Sequence, residues 1–406
     1  MRVEALSDLD VICERDPVAV PGGRVESVCG PQNVDEVCEV VAWAARERAG
    51  LLVLGGCTRL GWANPAEPLA LALSTRGLSG VDTFEPDEGV VHAAAGTPLA
   101  EVRQVVEGEG WELPLDSPGP NTTVGGTIAS AVTGPRAQAF GAVKDALLGL
   151  EVVGGDGEPS KCGGRVVKNV TGYDMAKLYC GSFGSFAVVT GAWLRLRPLP
   201  ACRETWRGEL DAGADQFDVV RKLASRVSVR ALVWIQHPGA DGAEVIVEFG
   251  GSAEGVAEDR TRLAEKLLLE EAEPGTVDAL RDARAVAQGP VRFRARVPGS
   301  RSEAMRSAAI EAGLEVSSDP GLGVVQAWGA LSERSQLVAL RTLAESEGGF
   351  LTVETMPEAW RGSVDAFGPL GGTASLVATL KERFDPAGIL NPGRFVRTEI
   401  REEVRP

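Results

Sequence analysis

The residues that could do chemistry in this chain are concentrated in runs of glycine and small side chains. Three such runs occupy residues 118–134, 165–178 and 181–191, and they carry few charges in a chain that is otherwise acidic. Glycine has no Cβ, so a backbone rich in it can come within van der Waals reach of a flat or phosphorylated ligand. Several such runs close together predict a large planar cofactor threaded through the fold.

Another glycine-rich run, 55–61, directly follows the apolar segment 51–54, which we interpret as a buried strand. Successive backbone N–H groups in such a turn can bind a pyrophosphate, and the hydroxyl of Thr58 adds a donor. No helical pattern follows, in contrast to a Rossmann fingerprint, and 69–73 is interpreted as a further strand. Taken alone, this loop is equally compatible with a tight turn that binds nothing.

Histidine is scarce, since His92 and His237 are the only two in the sequence and lie far apart. Zinc centres and histidine-based triads need histidines that meet in space, so we expect neither. His92 alternates within a predicted strand and is interpreted as structural, whereas His237 ends a strand and is interpreted as a surface residue. Tyr173 is compatible with a place beside a cofactor and equally with a place in the core.

Length and charge set the class of protein. A chain of 406 residues exceeds the size at which one hydrophobic core keeps growing, so two or three domains are expected. The net charge of −16 disfavours nucleic acid and anionic membrane surfaces as partners. No apolar run reaches the roughly 18 residues of a membrane span, and the first ten residues lack a signal-peptide core.

The cysteines indicate the compartment. Seven are present, an odd number, and no two form a Cys-x-x-Cys pair. This pattern fits a reducing compartment and offers no ligand set for zinc or an iron–sulfur cluster. We therefore expect a cytoplasmic protein.

The elements that must position the glycine runs follow from periodicity and turn residues. Asn33 is predicted to cap a helix with Val34, Val37, Val41 and Ala44 on its inner face, between strands at 25–30 and 51–54. The further predictions up to residue 200 are a hairpin at 81–84 and 90–95, a helix over 98–108, strands at 147–153 and 165–167, a helix over 173–179 and a strand at 186–196.

From Cys202 onward the pattern becomes an alternation of strands and helices with few glycine clusters. The predicted strands are 231–235, 244–249, 291–297, 323–328 and 350–354. The predicted helices are 215–226, 254–272, 301–312, 332–346 and 373–384. This pattern predicts an α+β domain, an antiparallel sheet with helices on one face.

Five motifs then coincide, at 55–60, 123–129, 168–178, 181–190 and 384–393. Together they resemble the FAD-binding proteins of the vanillyl-alcohol oxidase, or PCMH, type. The sequence of residues 167–174 is most similar to that of the FAD-binding subunit of bacterial glycolate oxidase. The resemblance implies an α+β fold with a two-lobed PCMH-type FAD-binding domain and a smaller α+β, ferredoxin-like cap domain. The implied boundaries are 1–200 for the FAD domain (lobes about 1–80 and 81–200), 201–372 for the cap and 373–406 for a C-terminal segment returning to the FAD domain.

The resemblance also implies cofactor-binding positions. Those matching the pyrophosphate loop are Gly55, Gly56, Cys57, Thr58, Arg59 and Leu60. Those matching the run along the phosphates and ribityl chain are Pro118, Thr123, Gly125, Gly126, Ala129 and Gly134. Those matching the adenine end are Gly181, Gly184 and Val189, and Asn391 matches a residue that approaches the flavin. A further family motif without assigned contacts is matched by Lys168, Asn169, Gly172 and Tyr173.

Three positions depart from the family pattern. Phe183 stands where relatives carry an acidic residue and Ala187 where they have glycine, which implies an adenine pocket that is either more apolar or slightly rearranged. Cys57 stands where covalently flavinylated relatives carry histidine, so non-covalent FAD is expected, with a cysteinyl link at Cys57 as the alternative. Several cations, Arg59, Arg136, Lys144, Lys168 and Arg394, lie in or beside the motifs and could offset phosphate charge.

The function implied by the resemblance is that of an FAD-binding subunit of a multi-subunit glycolate oxidase, which converts glycolate to glyoxylate. Its expected partners are a larger flavoprotein subunit and an iron–sulfur subunit, through which it could also associate with a membrane. Relatives that oxidise D-2-hydroxy acids carry a histidine-rich metal motif in the cap, which this chain lacks, so we assign no metal and no catalytic residue. The alternatives are a stand-alone FAD-dependent oxidoreductase acting on a hydroxy acid or sugar lactone, and a scaffold that binds little FAD.

Overall fold

Two units make up the fold of the computed structural model, which describes residues 11–165 and 174–395. The first unit comprises the described residues up to Val132, Ala142–Leu199 and those from Pro369 onward. The second comprises Pro200–Gly368 together with the short segment Thr133–Gly141. The sequence placed this short segment within a continuous domain 1–200, so its grouping with the second unit is a difference from the prediction.

The first lobe of the first unit is built around a parallel β-α-β arrangement. Its elements are β1 (Cys13–Glu14), β2 (Val18–Val20), β3 (Gly23–Val25), β4 (Val28–Cys29), α1 (Val34–Glu47), β5 (Leu51–Leu54) and β6 (Leu71–Ser74). The sheet order is β1-β4-β6-β5, and β6 lies parallel to both β4 and β5. The predicted cap is confirmed, because the Asn33 side chain accepts the N–H of Glu36.

The second lobe carries a five-stranded sheet in the order β11-β10-β12-β8-β7. Elements from this part of the sequence are β7 (Val81–Glu85), β8 (Val90–Ala94), α2 (Leu99–Glu107), β9 (Trp111–Glu112), α3 (Val124–Ser130), α4 (Ala137–Phe140, in the second unit), α5 (Val143–Ala146), β10 (Leu147–Gly154), β11 (Pro159–Gly163), α6 (Met175–Tyr179), β12 (Ala187–Arg195) and β13 (Arg197–Pro198). The predicted hairpin of β7 and β8 is confirmed. The strand that pairs with β10 is β11, which ends at Gly163, and not the strand predicted at 165–167. Residues 166–173 lie outside the described residues.

The second unit contains an eight-stranded antiparallel sheet in the order β17-β14-β16-β15-β19-β20-β18-β21. Its elements are β14 (Cys202–Asp211), α7 (Ala214–Leu223), β15 (Val229–Gln236), β16 (Gly242–Gly251), α8 (Ala253–Ala264), β17 (Leu268–Glu271), α9 (Thr276–Val286), β18 (Val291–Arg296), α10 (Ser302–Glu311), β19 (Glu315–Asp319), β20 (Val324–Gly329), α11 (Arg334–Ser346), β21 (Phe350–Thr355) and α12 (Glu358–Arg361). The predicted α+β class is confirmed.

One helix of the second unit departs from the predicted one-sided arrangement. Val245 and Val247 of β16 share a hydrophobic cluster with α7 and α8, whereas the intervening Ile246 packs with Val277 of α9. Successive strand residues point to opposite faces of a sheet, so α9 covers the face opposite to α7 and α8. The predicted helix 254–272 is also too long, because the helix ends at Ala264 and β17 follows as an edge strand.

The last helix, α13 (Ala374–Phe384), returns the chain to the first unit and ends in a buried ion pair. Lys381 Nζ lies 2.6 Å from Asp385 Oδ2 and also donates to the carbonyl oxygens of Ser185 and Leu390. The Asp385 carboxylate accepts the N–H groups of Ile389 and Leu390. Burial lowers the pKa of Lys381, and the Asp385 carboxylate opposes that shift. This pair fixes the turn that leads into Asn391.

A second buried ionic cluster anchors the segment Thr133–Gly141 within the second unit. Arg136 forms a two-pronged pair with Glu248 of β16, at 2.9 Å from Nε to Oε1 and 2.7 Å from Nη2 to Oε2. The same guanidinium bonds Asp278 of α9 at 2.7 and 2.8 Å, and Arg230 Nε lies 3.3 Å from Glu248. The side chains of Arg136 and Glu248 are only 8% and 3% exposed, so water cannot replace the partners of either charge.

Removing one charge of this cluster should destabilise the second unit. We expect Arg136→Ala to lower the free energy of unfolding by about 3 kcal/mol, because it leaves two carboxylates short of a buried partner. Urea denaturation followed by tryptophan fluorescence measures this, with Arg207→Ala as the control. Arg207 forms an exposed pair with Glu244 at 3.9 Å on the same sheet, so its loss should change stability by at most about 0.5 kcal/mol. Equal effects of the two substitutions would contradict the anchoring role of Arg136.

Candidate cofactor site

The site begins where the loop after β5 meets the segment before α3, backbone against backbone. A Cβ on Gly55 would lie 2.6 Å from Thr123 Oγ1, and one on Gly56 would overlap the carbonyl oxygen of Asn121. A Cβ at Gly56 would displace the Asn121 backbone, and one at Gly55 would displace the Thr123 hydroxyl that caps α3. The contact thus explains why two glycines follow directly after a buried strand.

Arg59 ties the same two segments together. Its Nη2 donates to Ser117 Oγ at 2.7 Å and to the Pro118 carbonyl oxygen at 2.9 Å, and its Nη1 lies 3.1 Å from Thr58 Oγ1. The guanidinium also lies over the ring of Trp62, with its carbon 5.5 Å from the ring centroid. The predicted residues Thr58, Arg59 and Pro118 therefore do meet, and the arginine acts as a cross-link between the loops.

The N-terminus of α3 is closed by protein acceptors. Thr123 caps the helix through the N–H of Gly126 at 3.2 Å, and the N–H groups of Val124 and Gly125 donate to the carbonyl oxygens of Thr97 and Ala95. A Cβ on Gly125 would lie 2.9 Å from that of Ala95. Gly125 thus allows α3 to pack closely against the sheet. The N–H groups of Val124 and Gly125 are already bonded to protein acceptors and are not available to an anion at this helix end.

Asn391 joins the opposite side of the site. Its Oδ1 accepts the N–H of Val53 in β5 at 2.9 Å, and its Nδ2 donates to the carbonyl oxygens of Phe183 and Gly184 at 2.9 and 3.2 Å. The run at 181–184 is in turn bonded to α3 through N–H groups of Gly181 and Phe183, which donate to Ile128 and Ala129 at 2.9 and 2.8 Å. Four segments distant in sequence are thus held in one place.

Some predicted site residues are placed differently. Gly134 lies in the second unit, and Val189 is buried among the core residues of β12. Leu60 packs against the apolar cluster formed by β2, β5 and neighbouring residues. The motif residues Lys168, Asn169, Gly172 and Tyr173 lie outside the described residues.

The site contains donors that the protein itself leaves unused. Within 11–165 and 174–395, no protein acceptor is found for the backbone N–H groups of Gly56, Cys57 and Thr58. Cys57 has a positive φ of 59°, which belongs to the αL conformation of anion-binding backbone nests. A loop with free N–H groups and no Cβ at its first two positions fits the diphosphate of a dinucleotide.

Buried hydroxyl groups in the same unit support this fit. Among the described residues, the Oγ1 atoms of Thr127 and Thr190 and the Oγ of Ser185 are buried without a hydrogen-bond partner. A buried hydroxyl without a partner is unfavourable, so such atoms point to a ligand or water that would satisfy them. Thr127 belongs to α3, and Thr190 and Ser185 lie in or just before β12.

Arg76 is a site residue that the sequence patterns did not reveal. It follows β6 and its Nε donates to the Gly55 carbonyl oxygen at 3.2 Å. The carboxyl ends of neighbouring parallel strands meet at one edge of a sheet. The polar turn after β6 could therefore have indicated a site residue beside the loop after β5. No motif covered this position.

The other predicted cations have different surroundings. Arg394 donates to the Leu60 carbonyl oxygen at 3.0 Å, Lys144 is exposed on the short helix α5, and Arg136 belongs to the second unit. His92 is buried, with Nδ1 2.5 Å from Asp82 Oδ1 and its ring against Trp193, which agrees with the structural role predicted for it. His237 is largely exposed near Glu315, as a surface residue would be.

The described residues contain no group of histidine, cysteine, aspartate or glutamate side chains able to hold a metal ion. Within the same ranges, no helix combines the length and apolar character that crossing a membrane requires.

Cys13 and Cys29, opposite each other on β1 and β4, form a disulfide, which the sequence did not predict. Five cysteines are free, and of these Cys57 alone is exposed.

Residues 25–163 match the family model described as "FAD binding domain". This segment is similar to FAD-binding domains. The cofactor implied by the resemblance is therefore confirmed, and the glycine loop at Gly55–Gly56 and the start of α3 lie within the matched segment.

Curated relatives extend the match beyond that domain. The chain is 25% identical over 376 residues to glycolate oxidase subunit GlcE of Escherichia coli (strain K12), covering 88% of this chain and 95% of the relative. It is 26% identical to D-lactate dehydrogenase of Archaeoglobus fulgidus, covering 95% and 94%. A D-2-hydroxyglutarate dehydrogenase of Xanthomonas citri pv. viticola is 33% identical over 42% of this chain and 36% of the relative.

Solved structures confirm the predicted fold class. p-Cresol methylhydroxylase with substrate bound superposes with a TM-score of 0.72 at 14% identity, covering 97% of this chain and 92% of that one. Alkyldihydroxyacetonephosphate synthase superposes with a TM-score of 0.69 at 15% identity, covering 91% and 76%. At such identities the likeness shows the fold alone.

A matched pair of glycine substitutions tests the backbone contact. We expect Gly56→Ala to weaken FAD binding by about 100-fold, or about 3 kcal/mol, because its Cβ would push the loop away from Asn121. The control is Gly61→Ala in the same loop, where a Cβ would meet nothing within 4 Å. Calorimetric titration of the flavin-free protein with FAD measures both. An unchanged affinity in Gly56→Ala would contradict the site.

Cys57 provides a chemical probe of the loop. Cys57 is exposed as a residue, but partial burial of its thiol raises the thiol pKa above 9.0. We therefore expect alkylation to be slow at neutral pH, and its rate to keep rising as the pH is raised above 9.0. Free FAD at ten times its Kd should slow the labelling about tenfold, since the bound state covers the loop. The measurement is mass spectrometry of peptides after timed iodoacetamide treatment.

Two other thiols serve as internal controls for this labelling. Cys202, in the second unit, should show no protection by FAD. Cys180, whose pKa burial raises to about 11, should react slowly with or without FAD. Flavin that stays attached to Cys57 after acid precipitation would overturn the expectation of non-covalent binding, and equal labelling rates with and without FAD would place the cofactor elsewhere.

Proposed function

We propose that this chain is the FAD-binding subunit of a multi-subunit glycolate oxidase, which oxidises glycolate to glyoxylate. The observation that carries the proposal is the end-to-end similarity to GlcE, 88% of this chain against 95% of the relative. The relatives also include a D-lactate dehydrogenase and a D-2-hydroxyglutarate dehydrogenase, so the shared chemistry is FAD-dependent oxidation of a 2-hydroxy acid. The chain is accordingly an FAD-dependent oxidoreductase acting on CH–OH donors.

The residues of the site would share the work of holding FAD. When bound, FAD supplies the two-electron redox chemistry that amino-acid side chains lack. The free N–H groups of Gly56, Cys57 and Thr58 would bind the diphosphate, while Arg59 keeps the loop against 117–118. Asn391 would keep the loops beside β5 and 181–184 in register. We assign no catalytic residue.

The proposed partner subunits would complete the electron balance. Oxidation of glycolate to glyoxylate releases two electrons and two protons, and the electrons must leave the flavin for a further carrier. An iron–sulfur subunit, which the resemblance implies, would be that carrier. A larger flavoprotein subunit is suggested by the 27% identity to glycolate oxidase subunit GlcD of Bacillus subtilis over 52% of this chain. Attachment to a membrane would come through these partners.

A stand-alone oxidoreductase acting on a hydroxy acid or sugar lactone is the second candidate. The D-lactate dehydrogenase relative favours it, because the match covers 95% of this chain and 94% of the relative. The two candidates differ in one property, namely whether the chain reduces its own flavin when no partner is present.

An anaerobic reduction experiment separates them. The purified, FAD-loaded chain is mixed with glycolate or D-lactate and the flavin absorbance is followed, first alone and then with the two partner subunits. We expect a yellow protein that keeps its colour alone and is bleached by glycolate once the partners are added. Rapid bleaching of the isolated chain by either acid would refute the subunit proposal in favour of a stand-alone enzyme. A chain that stays colourless after incubation with FAD and removal of unbound FAD would support the scaffold alternative.

A further inference from the structure

We propose that Arg76 is the cation that binds the diphosphate of FAD. The inference deepens the proposed function only in its cofactor site, and it depends on FAD binding but not on the identity of the hydroxy acid. Arg76 lies outside all the glycine motifs. Three observations support the inference: the position of its backbone, the orientation of its side chain, and the bonds that already engage the other arginines near the loops.

The backbone at Arg76 is fixed at the carboxyl end of β6. Thr75 Oγ1 donates to the Leu54 carbonyl oxygen at 3.0 Å, which attaches the turn to the end of the neighbouring strand β5. On the other side, a Cβ on Gly96 would lie 2.9 Å from the Cα of Arg76. The α-carbon is therefore held between two packed elements, directly beside the loop that starts at Gly55.

The side chain uses one nitrogen and presents the others. Its Nε donates to the Gly55 carbonyl oxygen at 3.2 Å, which aligns the guanidinium along the loop. No acceptor for Nη1 or Nη2 occurs in the described parts of the chain, and the residue is exposed. An arginine held at Nε offers its two terminal nitrogens as a fork, the arrangement that matches two phosphate oxygens.

The charge of Arg76 reaches the free N–H groups of the loop. Burial raises the pKa of the Cys57 thiol, and Arg76 opposes this shift through its positive charge. The bond from Arg76 Nε to the carbonyl oxygen of Gly55, the residue directly before Gly56, also places the guanidinium beside the start of the loop that carries these unused N–H groups. Backbone donors and a cation in one place form a site for an anion. A chain with a net charge of −16 needs such a local cation to hold an anionic cofactor.

The other arginines near the loops have structural tasks. Arg59 donates to Ser117 and Pro118, and Arg394 donates to the Leu60 carbonyl oxygen. Both guanidinium groups hold one loop to another, so recruiting either to a phosphate would loosen the site that it builds. Arg76 can bind a phosphate without giving up its bond to Gly55.

Binding measurements on the full chain test the assignment. Flavin-free protein is titrated calorimetrically with FAD and with ADP-ribose, which carries the diphosphate but no flavin ring. We expect Arg76→Gln to weaken both ligands by about 10- to 100-fold, since it removes a charge-assisted fork, and to reduce the salt dependence of binding. Arg46→Gln, an exposed arginine in the last turn of α1, should leave both affinities unchanged.

The outcomes distinguish this inference from its alternatives. If Arg76→Gln changes FAD absorbance or sulfite reactivity but leaves ADP-ribose affinity as it was, Arg76 lies at the flavin ring and the proposal is overturned. If Arg76→Gln does not fold, Arg76→Met decides, because it keeps an unbranched side chain and loses the charge; unchanged ADP-ribose affinity there also overturns the proposal. Bleaching of the isolated chain by glycolate would refute the subunit function without altering these affinities.

Discussion

The cofactor site depends on one contact, the approach of the backbone at Gly56 to the backbone of Asn121, with Gly55 against the Thr123 side chain. At van der Waals distance, neither position tolerates a Cβ, and without the contact the loop after β5 would not lie beside α3. Further contacts at the site support these two segments. Arg59 bonds across them, Thr123 holds the start of α3, and the remaining loop N–H groups stay free for a ligand.

A second constraint comes from the far end of the chain. The buried pair of Lys381 and Asp385 shapes the turn that delivers Asn391, and Asn391 then bonds to β5 and to 183–184 at once. The N-terminal β-α-β unit, the second lobe and the C-terminal segment therefore meet at one asparagine side chain. A cofactor spread over both lobes of the first unit would depend on this closure, because the loops that would hold it come from segments far apart in sequence.

The structural features that the sequence predicted are those determined by residues close together in the chain. Asn33 caps α1 because its side-chain oxygen and the N–H group that it accepts, that of Glu36, are only three residues apart. The glycine pair after β5 could be recognised because an apolar strand precedes it. Arg76 was missed, since its meaning depends on β6 lying beside β5, a pairing that no short motif encodes. The grouping of Thr133–Gly141 with the second unit likewise depends on Arg136 meeting Glu248, which is 112 residues further along the chain. The Cys13–Cys29 disulfide depends on the register of two short strands.

Amide hydrogen exchange of the full chain with and without FAD tests the central claim most directly, since it reports on the loop N–H groups themselves. The account predicts that FAD slows exchange at Gly56, Cys57 and Thr58, while the N–H groups of Val124 and Gly125, already bonded to protein acceptors, change little. Protection confined to the start of α3, with the loop after β5 exchanging as before, would contradict it.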